Sequence, residues 1–221
     1  MKAINWNRVA IAWALVLLVT LAGSHLTYAS EWSVVITDEN NQPLKHAAVI
    51  LSNGDSVTPL AATKIAQHDA EFIPAVSIVA QGSAVSFPNF DRAKHHVYSF
   101  SKAKAFELEL FKGNPAEPVL FDTPGIVTMG CNMHDWMYAV TYIVDSPYAA
   151  LTDEKGLAVF TDLPNDRFEL AVWHPRHPQK DVVETILVSE ANKLHSIALP
   201  LRVETPRPQR PKPIARRSAS N

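Results

Sequence analysis

From residue 32 onward, apolar positions fall in short β-prone runs separated by turn-forming residues. The run 32–37 (WSVVIT) alternates apolar and polar positions and stops at Asp38-Glu39-Asn40-Asn41. The run 47–51 (AAVIL) stops at Ser52-Asn53-Gly54-Asp55. The same rhythm predicts strands over 75–80, 84–88, 96–100, 106–111, 125–131, 138–145, 158–162, 168–173, 182–188 and 194–199. No segment carries a sustained helical period, and the pattern leaves room for at most one short helix, around 61–68. Many short strands at regular spacing, punctuated by Pro and Gly, predict an all-β sandwich architecture.

The two ends of the chain break this rhythm. Lys2 and Arg8 precede an almost wholly apolar run over 9–23, and Thr27-Tyr28-Ala29 follows with small residues at the −3 and −1 positions of a cut after Ala29. Charge, apolar core and small residues in that order predict a signal peptide over 1–29, with an uncleaved anchor as the alternative. The apolar run is about 15 residues, against the roughly 20 that span a bilayer. The expectation is an exported, periplasmic protein with no stable membrane insertion after cleavage. At the other end, Pro206, Pro208, Pro211 and Pro213 alternate with Arg207, Arg210, Lys212, Arg216 and Arg217. Such a segment cannot join a sheet ladder, so 203–221 is expected to be a disordered basic tail.

Composition removes several classes. The formal net charge is −2, which excludes a globally basic nucleic-acid binder. No Gly-rich phosphate loop is present. A single cysteine, Cys131, excludes an internal disulfide, a four-cysteine zinc site and an iron–sulfur cage. No Ser-His-Asp arrangement or paired-carboxylate motif stands out, and the chain is not expected to be an enzyme.

One constellation carries chemistry. Cys131 opens Cys131-Asn132-Met133-His134-Asp135-Trp136-Met137, a C-x2-H-x2-M spacing, and His95-His96 lies upstream. A thiolate, two imidazoles and a thioether form the donor set of a mononuclear copper electron-transfer site. Thiolate and thioether favour Cu(I), whereas imidazole accepts both oxidation states, so such a set demands little rearrangement when an electron moves. The candidate metal ligands are His95, Cys131, His134 and Met137, with His96 as the alternative to His95. Met133 competes weakly for the axial place. A second pair, His174 and His177, is flanked by prolines and is expected at the surface.

Over these motifs the chain resembles the cupredoxins. The loop has the short amicyanin-type spacing, and FPNFDRAKHHVYSFS with FDTPGIVTMGCNMHDWM looks like the cupredoxin-domain proteins labelled methylamine utilization protein. The resemblance implies a Greek-key copper sandwich with electron transfer as its role. It places the first His ligand on His95. The neighbouring Asn of the family pattern, which steadies the ligand loop through hydrogen bonds, falls on His96, a departure. Nothing in the residues binds an amine. Residues 32–53 and 151–173 together resemble the carboxypeptidase regulatory-like (transthyretin-like) sandwich. The expected organisation is therefore 30–59 and 148–202 in one sandwich, with a cupredoxin-like copper domain over 60–147 inserted in it.

The function expected is a type 1 (blue) copper protein that holds one copper ion and exchanges electrons with a redox partner protein. A copper storage or delivery protein is the alternative, and a structural or binding sandwich with incidental copper is a third.

Overall fold

A computed structural model describes residues 31–59, 63–115, 117–177, 182–189, 191–201 and 209. The segment 1–29, expected to be a signal peptide, and the tail expected over 203–221, apart from residue 209, lie outside the described residues. Seventeen strands and no helix are found among them: β1 Glu31–Asp38, β2 Ala48–Ser52, β3 Thr63–Lys64, β4 Ala66–His68, β5 Glu71–Ile73, β6 Val76–Ala80, β7 Ser83–Ser86, β8 His95–Phe100, β9 Ala105–Phe111, β10 Val119–Phe121, β11 Gly125–Cys131, β12 Tyr138–Val144, β13 Tyr148–Leu151, β14 Leu157–Thr161, β15 Arg167–Trp173, β16 Val182–Leu187 and β17 Leu194–Leu199. The protein is all-β, and no helix among the described residues is long and apolar enough to cross a membrane.

Strands from the two ends of the described chain build one pair of sheets, ordered β14-β1-β17 and β13-β2-β15-β16. Period-two alternation decides their inner face: Trp32, Val34 and Ile36 of β1 face Val49 and Leu51 of β2 and Phe168, Leu170 and Val172 of β15. The strands between build a five-stranded sheet, β6-β12-β11-β8-β9, a smaller sheet, β10-β7-β3, and the hairpin β4-β5. Their core holds Ile65, Phe72, Val85, Phe87, Val97, Phe121, Met129, Cys131, Met137 and Ile143.

A third cluster joins the two. Ala48, Ile50 and Trp173 from the first pair of sheets pack with Val140 and Val144 of β12. This explains the continuous apolar runs of β2 and β12, which alternation alone does not require. Each strand is buried on both faces, one toward its own core and one toward the neighbouring sheet.

The one place left open for a short helix, 61–68, is extended in its described part. Ile65 and Gln67 are fully buried while Lys64 and His68 are exposed, a two-residue period. Parallel pairing of β3 with β7 and a hydrogen bond from Gln67 Nε2 to the Phe87 carbonyl hold the segment extended. The short strands β5, β10 and β13 escape the sequence pattern because three or four residues carry too little periodicity to read.

Candidate metal centre

The site is built where β8 meets β11. Antiparallel pairing sets Gly130 opposite Tyr98 and Cys131 opposite Val97. Cys131 and Val97 both face the core, and His95, two residues before Val97, shares that face with no exposed surface. A register irregularity between His95 and Val97 falls at this point, as β-bulges beside functional sites do. His134 follows on the loop after β11. The Met137 N–H donates to the His134 carbonyl, closing the loop before β12 begins.

The convergence is close. Cys131 Sγ lies 3.8 Å from His95 Nδ1 and 3.9 Å from His134 Nδ1. The three donor atoms all fall within 4.8 Å of one another. A metal at about 2.3 Å from sulfur and about 2.0 Å from each nitrogen, at tetrahedral to trigonal angles, sets sulfur and nitrogen about 3.5–3.7 Å apart. Both sulfur–nitrogen separations thus lie within a few tenths of an ångström of those around a thiolate-imidazole metal. Met137 is buried in the same apolar cluster as Cys131 and lines the same surface recess. Met133 is exposed.

His96 goes elsewhere. Successive strand residues point to opposite faces, so the His96 ring leaves the core and its Nε2 meets Glu107 Oε1 at 2.7 Å. It packs against Tyr98, with ring centroids 5.7 Å apart.

A hydrogen-bond network surrounds the donors. His95 Nε2 donates to Asp91 Oδ2 at 2.8 Å. Because the carboxylate can only accept, the lone pair of this ring sits on Nδ1, facing Cys131. Asp91 also accepts from the Asp69 and Ala70 N–H groups, at 2.7 and 2.9 Å. Burial alone raises the Asp91 carboxyl, but the hydrogen bonds from Ala70, His95 and Asp69 outweigh it and hold the group below its ordinary value. Asn89 braces the turn: its Oδ1 accepts from the Asp91 N–H, and its Nδ2 donates to the Ala93 and Phe111 carbonyls. On the loop side, Trp136 Nε1 donates to the Ala70 carbonyl and its ring meets His134 edge-on at 5.0 Å.

Sequence reading assigns Asp91 no role. Its only signal is an acidic residue four positions before a candidate ligand, which is common in turns without meaning.

A second group, His68, Asp69 and Asp91, also brings its donor atoms within 4.8 Å. There Asp91 has both oxygens already engaged, and His68 and Asp69 are exposed.

The other His pair departs from expectation. His174 and His177 are buried and not at the surface. The loop after β15 folds back, so that His174 Nδ1 accepts from the Arg176 N–H and its ring donates to the Lys45 carbonyl. Burial, with Arg176, His177 and His46 nearby, lowers its pKa to about 4.

No protein-family model matches the chain, and no curated protein matches it. Among solved structures, part of it is similar to copper proteins. Amicyanin from Paracoccus versutus aligns over 43% of this chain and 97% of its own, at 17% identity and a TM-score of 0.34. A purple cupredoxin from Nitrosopumilus maritimus aligns over 38% and 99%, at 17% identity and a TM-score of 0.32. A copper-containing nitrite reductase from Thermus scotoductus aligns over 51% of this chain and 28% of its own, at 16% identity and a TM-score of 0.36.

Proposed function

We propose that the protein is an exported electron carrier in which His95, Cys131 and His134 would hold one copper ion, with Met137 as the fourth donor. The observation that carries the reading is the approach of the single cysteine sulfur to two imidazole nitrogens inside an apolar core. Bound there, copper would supply a one-electron Cu(II)/Cu(I) couple.

The chain's own residues do the rest. Cys131 and His95 are withdrawn from water, so the dielectric around the donors is low. Their positions are set before metal arrives, because β8 and β11 are neighbours in one sheet and cannot slide without breaking the ladder. Asp91 fixes which nitrogen of His95 faces the centre. His134 is partly exposed and lies on the loop, so it offers the shortest route to a redox partner protein; Trp136 beside it forms part of the apolar rim.

In this reading residues 60–147 form the copper domain, inserted into a second sandwich built from 30–59 and 148–202. The cores described above support that division. The segment 1–29 directs export to the periplasm.

The test is reconstitution with one equivalent of Cu(II). The expected protein shows intense visible thiolate-to-copper charge transfer and a narrow-hyperfine EPR signal, and Cys131→Ser loses both. A wild-type protein that takes up copper without either signal overturns the reading.

A further inference from the structure

His95 and the loop bearing the other donors come from distant stretches of chain, and something must hold them in register. His96, at the position where the family pattern has a bracing Asn, turns to the opposite face and bonds Glu107 instead. The structure offers another link. Asp91 receives His95 Nε2 on one side and the N–H groups of Asp69 and Ala70 on the other. The Ala70 carbonyl then receives the indole N–H of Trp136, which lies between His134 and Met137 in the ligand loop. The path runs from His95 through Asp91 and Ala70 to Trp136 in unbroken hydrogen bonds of 2.8, 2.9 and 3.1 Å.

The middle of this path is strained. Asp69 and Ala70 both have φ of 53°, the left-handed region that an alanine avoids. A turn of this kind persists where its surroundings over-determine it, and here the contacts that do so lead to the two halves of the donor set. Asp91 is itself pinned by Asn89, which is buried and bonded to two carbonyls.

We propose that Asp91 is the positioning residue of the centre: with the Asp69–Ala70 turn and Trp136 it clasps His95 to the ligand loop and places one negative charge behind the His95 imidazole. The proposal rests on the copper reading above. A carboxylate on the far nitrogen raises the donor strength of the imidazole and favours the more highly charged oxidation state of the metal, whereas a carbonyl would do so less. Trp136 carries no charge and acts through geometry alone, so the two ends of the clasp have separable effects.

The experiment uses Asp91→Asn and Trp136→Phe in the full chain, each loaded with one equivalent of copper. In Asp91→Asn, the preference for Cu(II) over Cu(I) falls by about tenfold, read as a rise in reduction potential of about 59 mV for one electron. Its copper affinity falls by about tenfold or more, the usual effect of removing a partner of a ligating His. Trp136→Phe keeps the potential near the wild-type value but releases Cu(I) to a chelator about tenfold faster. If both variants match the wild type in potential and in Cu(I) release, the clasp is wrong even though the wild type binds copper with thiolate charge transfer. A lowered melting temperature of the metal-free variants with unchanged potential and release overturns it too, since that is the mark of a purely structural turn. A wild type without thiolate charge transfer instead removes the copper reading on which the proposal stands.

Discussion

His95 and His96 differ by one position and therefore by one face of a strand. That step takes one imidazole to the cysteine sulfur and the other to a surface carboxylate. Gly130, next to Cys131, matters for a different reason: a Cβ there would lie 2.9 Å from the Tyr98 hydroxyl and 3.0 Å from its ring. Gly130→Ala is expected to push Tyr98 off β11 and to destabilise the protein by about 1–3 kcal/mol, as overpacking does. Paired with Tyr98→Leu, the alanine should cost less, a coupling that denaturant unfolding of the four variants measures. Gly156 has φ of +72°, and a Cβ would meet the Ile36 carbonyl at 2.3 Å. Backbone cannot yield as a side-chain end does, so Gly156→Ala is expected to cost about 2 kcal/mol or more.

Among the elements, the loop after β15 carries a pH response. His174 is held neutral with a pKa of about 4, against 6.5 in an unfolded chain. The unfolded state therefore takes up the proton first as pH falls. The His174 contribution is complete above pH 6.5 and is lost progressively as pH falls toward about 4. Thermal melts from pH 7 to pH 4 should show the decline, and His174→Gln should flatten it. Between β6 and β12, the Ser77 and Thr141 hydroxyls meet at 2.8 Å in a buried pair. Thr141→Val keeps the shape but strands the Ser77 hydroxyl, at a cost of about 1–3 kcal/mol by equilibrium unfolding. Most strands are legible as alternating runs, yet 63–68 is not, because its polar Gln67 is buried, with its Nε2 donating to the carbonyl of Phe87, twenty residues away. The HPRH segment misled for a similar reason: prolines and histidines suggest a surface loop, but both rings find partners or cover inside.

At the scale of the molecule, two cores share a seam. Trp173 sits in it, with its ring 5.8 Å from Tyr142 of β12. Trp173→Ala should remove about 3–5 kcal/mol and loosen the coupling between the cores. The expected observation is that a single calorimetric transition separates into two. Only the transition of the core containing Cys131 should move on adding copper, because a ligand stabilises the unit that binds it.

The strand pattern, the isolated cysteine and the C-x2-H-x2-M spacing were all visible in the chain, because alternation and donor chemistry are local properties. So was the all-β class. That His96 turns to Glu107, that Asp91 stands behind His95, and that a strained Asp-Ala turn reaches the ligand loop were not visible. Each of these depends on strand register and on hydrogen bonds between residues far apart in sequence, and those exist once the sheets have paired.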